Sequence, residues 1–443
     1  MSISNYILNL LDLKDENIEI FEKVEKIKKK NISYNLIFGR LTYNASVCPV
    51  CGNVHSPSII KHGTKSSDIK LLPFNGEPTF LRLKKQRFLC KEYNSTFIAE
   101  TDIVKKNCFI SNRVKAHITT NLTMKVSEKD VASLHYVSHS TVSKCVDQAF
   151  EQFKPNYQFL PEHLCFDEFK STKTAKGSMS FIFCDAITHD IIDIVENRQL
   201  HYLKRYFSRF SECARESVKS ICIDMYQPYI SLISDLFPNA KIVFDKFHIV
   251  NHLSRALNKT RIEVMNGFSK YSMEYKRLKR YWKLIQKPYL KLNSTGFRKW
   301  IHFERWKSAR DVVMDSISVN KTLLNTYDCY QILLKDVENG DIASLKAHLE
   351  YYSDEVSDAM KTSINTLLKD FEYVKNCLEV NVTNGCLEGI NNFIKCLKRV
   401  AFGYRSYYHF RNRILICKKM IVPKDTVSVK NVRQLTLPDI NSL

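Results

Sequence analysis

Several features are missing or scarce in this 443-residue sequence, and each absence excludes something. No run of about 18 uninterrupted apolar residues occurs, so no membrane-spanning helix is expected. The opening stretch, MSISNYILNLLDLKDENIEIF, has acids early and no basic leader, so a secretory signal is not expected. There is no internal repeat, low-complexity tract or zipper pattern. Acids are also short: 46 Asp and Glu stand against 67 Lys and Arg, a net charge of +21. That surplus is clustered, which points to nucleic acid as the partner. An anionic membrane surface is the weaker rival, because no amphipathic basic terminus accompanies the charge.

What is present reads as a folded chain of two to four domains, with 44% apolar and 12% aromatic residues. Its 14 cysteines are scattered and often flanked by Lys, the usage of reduced thiols in a cytoplasm rather than of a disulfide framework. Residues 1–44 read as a short helical lead ending in the charged run EKVEKIKKK. A ribbon-like segment, 45–105, follows. Cys48-Pro-Val-Cys51-Gly is a knuckle that aims two thiolates at one tetrahedral Zn²⁺, and Arg87-Phe-Leu-Cys90-Lys-Glu-Tyr93 stands where the matching half belongs. Tyr93 occupies the place of the second cysteine of that half. The fourth ligand is left open among His55, His62 and Cys108, and a ribbon without metal is the alternative.

Residues 106–155 carry a helix-turn-helix pattern. A helix capped by Ser127, with Asp130 three residues on, buries Val131, Ala132 and Leu134. A turn at 136–138 leads to a second helix that buries Val142 and Val146. This second helix presents His139, Ser140, Ser143 and Lys144, small polar and basic groups suited to a major groove. The plain alternative is any three-helix bundle.

From residue 160 the pattern changes to strands around Phe166, at 179–184 and at 191–195, then alternates helix and strand to Asp245. Three antiparallel strands followed by helix–strand alternation is the ribonuclease H-like order, a mixed sheet flanked by helices, over 160–255. Residues 246–380 read as helical throughout, with an insertion at 256–380 that is basic in its first half. Between Arg255 and Arg310 there are 16 Lys or Arg against three acids, interleaved with Tyr271, Tyr275, Tyr281, Trp282, Trp300 and Trp306. The tryptophans individually read as core. The core resumes at 381–420, and 421–443 is a peripheral tail.

Asp167 lies within an otherwise apolar strand, where an unpaired charge would cost several kcal/mol without a cation. Asp224 ends a strand expected beside it, and Glu388 returns on a later helix, at spacings of 57 and 164 residues. On that helix Leu387, Ile390, Ile394, Leu397 and Ala401 make an apolar stripe. Asn384, Glu388, Asn391, Lys395 and Arg399 fall on another face. Three convergent carboxylates suit two Mg²⁺ (or Mn²⁺) ions about 3.5–4 Å apart, acting on a phosphodiester by in-line displacement. The plain readings are a strand-edge acid for Asp167, with Glu168 the inward residue, a helix cap for Asp224, and an i,i+4 partner for Glu388. Asp245, His248, Asn384 and Asn391 are supporting groups around the triad. The cations that follow, Lys395, Lys398, Arg399, Arg405 and Arg411, offer a path for a DNA backbone.

The stretches CPVCG, RFLCKEY, CFDEF, CIDMYQPY, VFDKFHIV and NGCLEGINNFIKCLKRVAFGYRSYYHFRNR, with the helix-turn-helix between, run in order along nearly the whole chain. In this the sequence resembles bacterial insertion-sequence transposases of the DDE class, specifically the ISL3 family. The resemblance implies a multidomain α+β protein with Asp167, Asp224 and Glu388 as its metal-binding triad. It implies binding to double-stranded DNA at the element's terminal inverted repeats, cleavage there, and attack of the freed 3′-hydroxyl on target DNA. It also implies a homodimer on DNA in a bacterial cytoplasm. Tyr93 departs from the family's cysteine. Two further readings compete: a former transposase kept as a sequence-specific DNA-binding regulator, and a nuclease or resolvase of the same fold, for which the ribbon and helix-turn-helix have no use.

Overall fold

A computed structural model describes residues 11, 13–29, 32–52, 58–150, 155–352, 356–380 and 382–420. His55 and the tail from 422 lie outside these. The chain divides into two compact units, one of Met1–Lys154 with Ile394–Leu443 and one of Pro155–Phe393. The change from one unit to the other falls inside a helix, Gly385–Val400.

The first unit is built on a five-stranded sheet: β1 (Ile18–Lys29), β2 (Ile32–Leu41), β3 (Ile59–Lys70), β4 (Thr79–Cys90) and β5 (Ser95–Ile98). Its order is β1-β2-β4-β3, with β5 pairing the end of β4. Residues 18–41, expected to be helical, are thus an antiparallel pair whose second strand runs parallel to β4. The correction has a physical cause. Ile18, Ile20, Ile37 and Leu41 pack with Leu81, Leu83 and Phe88 in one core. The Glu and Lys of β1 come largely as adjacent pairs between single apolar residues, EKVEKIKK, a spacing that also passes for i,i+4 pairing on a helix.

Three helices follow, α1 (Asn112–Asn121), α2 (Glu128–Leu134) and α3 (His139–Phe150). Ser127 caps α2 through a reciprocal pair with Asp130: each backbone N–H donates to the other's side chain, at 3.1 Å. Val131, Ala132, Val142 and Val146 are buried. Leu134, expected in this core, is 55% exposed, because the turn begins one residue later with Tyr136 at φ +51°. The helix Tyr407–Cys417 packs on this group. His409 bonds both Glu128 and Asp147 at 2.8 Å, and the wholly buried Arg413 donates to the carbonyls of Met124 and Val126 at 3.0 and 2.9 Å.

The second unit holds a sheet of order β10-β9-β6-β7-β8, from β6 (His163–Lys170), β7 (Met179–Asp185), β8 (Ile191–Val195), β9 (Ser220–Ile223) and β10 (Lys241–Phe244). The pairs β6–β7 and β7–β8 are antiparallel; β6–β9 and β9–β10 are parallel. Period-two alternation sorts the side chains of β6. Phe166 turns into an aromatic cluster with Phe181, Phe183, Phe207 and Phe237, beside α4 (Leu200–Phe207), α5 (Glu212–Glu216) and α6 (Gln227–Leu236). Cys165 and Asp167 turn the other way.

The helical part runs from α7 (Lys246–Asn266) through α8 (Met273–Arg280), α9 (Trp282–Ile285), α10 (Ala309–Ile317), α11 (Lys321–Asn339), α12 (Ile342–Tyr351) and α13 (Asp358–Lys369) to α14 (Phe371–Glu379), then α15 (Gly385–Val400). It is not helical throughout. Residues 286–308 are a loop with one short 3₁₀ turn and a bridge between Arg298 and Lys307, closed over Tyr281, Phe303 and Val312. Trp300 packs there, but Trp306 is 67% exposed and Trp282 is also open, against the core role expected of them. Among the described residues no helix is long and apolar enough to cross a membrane.

Candidate functional site

The ends of β6 and β9, the start of α7 and the first turns of α15 meet in one acidic cluster. Asp167 accepts the backbone N–H of Glu168 at 2.7 Å on Oδ1 and the amide of Asn391 at 2.7 Å on Oδ2. Its neighbour Glu168 points to the opposite side of the sheet, held by Arg198 and by the Tyr229 hydroxyl at 2.8 Å. Strand alternation thus settles which acid faces α15: Asp167, with a cation taking up Glu168. Sequence reasoning missed Arg198 and Tyr229; the only signal was the adjacency of two acids, one of which needs a partner.

Asp224 lies just past β9. His248, in the first turn of α7, sets its Nδ1 3.0 Å from Asp224 and 2.9 Å from Asp245. These three side chains lie within 4.8 Å of one another. Asp245 stands at the cap position of α7, but its carboxylate turns to His248 and to the backbone N–H of Asn384, at 3.3 Å. It therefore belongs more closely to the cluster than a peripheral support would.

Glu388 is placed by its helix. Asn384 donates to the carbonyl of Phe166 at 3.2 Å and Asn391 holds Asp167, so the i, i+4, i+7 face of 384, 388 and 391 lies against the end of β6. Leu387 and Ile390 are buried on the adjoining stripe. Glu388 itself is exposed, and its side chain makes no hydrogen bond or ion pair among the described residues.

The electrostatics are those of an anion site short of cations. Burial, with the charges of Asp224 and Glu168 added, pushes the Asp167 carboxyl up to about 7. Burial likewise raises Asp224 to about 6, against the pull of His248. The carboxylates in turn hold His248 above the ordinary imidazole range, chiefly through its bond to Asp245. The side-chain oxygens of Asn384 and Asn391 are buried with no hydrogen-bond partner. Carboxylates that resist ionisation and orphaned amide oxygens are a hard-cation donor set. They fit Mg²⁺ or Mn²⁺.

In the first unit, Cys48, Cys51 and Cys90 lie within 4.8 Å of one another, with Cys51 and Cys90 sulfurs 3.7 Å apart. A tight turn makes the knuckle: the Gly52 N–H donates to the Cys48 carbonyl at 2.9 Å and Gly52 takes φ +71°. The backbone N–H of Cys51 beside the Cys48 sulfur lowers that thiol to about 7. Among the described residues neither His62 nor Cys108 joins the three, and Tyr93 is 65% exposed. The set fits three of four Zn²⁺ ligands.

The residues expected to meet DNA separate into two groups. His139, Ser140 and Lys144 are exposed and Ser143 half-exposed on α3, although His139 also lies 3.6 Å from Glu128. Lys395, Arg399 and Arg405 are exposed, and Lys398 sits over the Phe410 ring at 5.0 Å. Arg411 is the exception: it is 6% exposed, packed into the helix that also buries Arg413, and cannot line a DNA path. A lysine-rich cleft that the sequence did not reveal lies on the first unit's sheet, lined by Lys14, Lys65, Lys85, Lys105 and Lys106.

A family model described as "Transposase" matches residues 164–414, and one described as "zinc-finger of transposase IS204/IS1001/IS1096/IS1165" matches residues 45–92. The chain is 21% identical over 387 residues to the "Transposase for insertion sequence element IS1001" of Bordetella parapertussis, covering 84% of this chain and 89% of that one. It is also 35% identical over 106 residues to a Lactococcus lactis protein named "ATP-dependent protease", a match covering 24% of this chain and about a third, 34%, of the relative.

Proposed function

The chain belongs to the ISL3 family of insertion-sequence transposases, and from that premise we propose that it cuts DNA at the terminal inverted repeats of its element and joins the freed 3′ ends to target DNA. The observation that supports this reading is the charge of Asp224 acting on the half-buried Asp167 from the neighbouring strand, with the helix that carries Glu388 tied to β6 through Asn384 and Asn391; we take the mixed sheet as a ribonuclease H-like core. Asp167, Asp224 and Glu388 would hold two Mg²⁺ or Mn²⁺ ions. When bound, such ions supply a polarised nucleophile and neutralise charge on the leaving oxygen. The protein's own residues do the positioning. Asn391 fixes the Asp167 carboxylate, Asn384 ties the start of α15 to β6, and Arg198 with Tyr229 keeps Glu168 out of the cluster. His248 Nδ1 lies between Asp224 and Asp245 and holds the two carboxylates together.

DNA recognition falls to the front of the chain in this reading. Helices α2 and α3 act as a helix-turn-helix, with His139, Ser140, Ser143 and Lys144 toward the bases. The three-cysteine knuckle holds Zn²⁺ and stiffens the ribbon. Lys395 and Arg399, one and two turns beyond Asn391, meet the backbone. Exposed Tyr271 and Trp306, among the cations of the helical insertion, offer stacking surfaces. Cutting two ends together calls for a dimer. The test is cleavage of inverted-repeat DNA with and without Mg²⁺: wild type should nick the ends and Asp224→Ala should not. Binding without divalent-dependent cleavage would make the protein a regulator instead.

A further inference from the structure

Beneath the carboxylates lies a group of thiols for which the proposed reaction has no use. Cys165, Cys222 and Cys386 each stand two residues before one of the acids Asp167, Asp224 and Glu388. Cys165 pairs in register with Cys184 on one side and Cys222 on the other, so three thiols form a row across β7, β6 and β9. The row faces α15, since the Cys165 thiol donates to the Thr383 carbonyl at 3.4 Å, just ahead of that helix. From α15 comes Cys386, whose sulfur lies 3.3 Å from that of Cys184. The sulfurs of Cys165, Cys184 and Cys386 all lie within 4.8 Å of one another.

Buried cysteines commonly serve as small apolar side chains. Packing alone, however, does not ask for four thiols in one place with three sulfurs converging. A tetrahedral site with zinc–sulfur bonds near 2.3 Å sets its sulfurs about 3.8 Å apart. The Cys184–Cys386 separation of 3.3 Å lies about half an ångström under that figure, and no pair of the three sulfurs exceeds 4.8 Å. Cys165, Cys184 and Cys222 are fully buried, while Cys386 is half-exposed and gives a cation its way in.

We propose that Cys165, Cys184 and Cys386 form a second soft-metal site, separate from the ribbon knuckle, with Cys222 beside it as a fourth thiol and Zn²⁺ or a similar thiophilic divalent cation as its ligand. Each thiol that binds releases its proton to solvent, and no electron is transferred. A cation held there clamps the first turn of α15 to β6 and β7, and so fixes where Glu388 stands relative to Asp167. That consequence rests on the function proposed above; the site does not.

The test uses the full-length protein, reduced and stripped of metal, carrying Cys51→Ser to silence the ribbon knuckle. Titration with Co²⁺ should give a thiolate-to-cobalt charge-transfer band saturating at about one equivalent. Adding Cys386→Ser, with folding checked by circular dichroism, should abolish the band. A second readout needs no core variant: Cd²⁺ should protect Cys386 from alkylation by N-ethylmaleimide, as mapped by mass spectrometry. A folded Cys51→Ser protein with no band, a band indifferent to Cys386→Ser, or Cys386 alkylated equally fast with Cd²⁺ present would each overturn the proposal. Loss of cleavage with the band intact would count against the function reading alone.

Discussion

Replacing Asp167 by Asn should stabilise the metal-free protein in alkaline solution while abolishing its activity. The Asp167 carboxyl is raised from 3.8 to about 7, chiefly by burial. At roughly 1.36 kcal/mol per pH unit, that gap sets about 4 kcal/mol against the ionised form. Because the native state keeps a proton that the unfolded chain has already lost, stability falls as pH rises from 3.8 to about 7. The whole penalty stands above pH 7, and none of it below 3.8. Asn carries no charge and still accepts the Glu168 N–H, but it loses the oxygen that receives the Asn391 amide, at roughly 1 kcal/mol. The balance is a variant about 3 kcal/mol more stable at pH 8 and about 1 kcal/mol less stable near pH 4. For a unit of this size, that is a rise of roughly 6–12 °C in melting temperature at pH 8. Thermal unfolding of both proteins in EDTA at the two pH values is the assay. No gain at pH 8, or the same gain at both, would refute the reasoning.

The same carboxylates govern how metal acts on stability. Mg²⁺ should raise the melting temperature of the wild type at pH 8 and hardly at pH 5, where Asp167 and Asp224, raised to about 7 and about 6, are protonated; equal shifts would contradict this. Arg413→Ala removes a buried guanidinium from the carbonyls of Met124 and Val126. It should cost roughly 3 kcal/mol or more, read as earlier melting of the first unit, and a change within 0.5 kcal/mol, the usual scatter for surface positions, would show the contacts to be idle. Zinc analysis should find a clear loss in Cys51→Ser relative to wild type, and equal zinc in both would remove the ribbon assignment.

Much of the second unit was legible because its signals are local. The strands around Phe166, at 179–184 and at 191–195 need no distant partner to be read. What was not legible depended on partners far along the chain. The Glu and Lys spaced i,i+4 along β1 look like a solvated helix until β2 and β4 supply an apolar face. Arg411 and Arg413 look like a cationic surface because their charge is visible in the sequence. The carbonyls that receive the Arg413 head group lie nearly three hundred residues away, at Met124 and Val126. The choice between Asp167 and Glu168 required knowing that Arg198 would take one of them. The spacing of Cys165, Cys222 and Cys386 ahead of three acids is visible in the sequence, but becomes a cluster only through the register of β6 with β7 and β9.

The most direct test of the central claim is single-turnover cleavage of end-labelled inverted-repeat DNA by Glu388→Gln, with DNA affinity measured on the same preparation. Glu388 is exposed, its side chain makes no bond among the described residues and it sits on a helix held by Asn384 and Asn391, so the substitution leaves the fold alone. The account predicts unchanged binding and a cleavage rate lowered by roughly a hundredfold or more. Cleavage at the wild-type rate would contradict it.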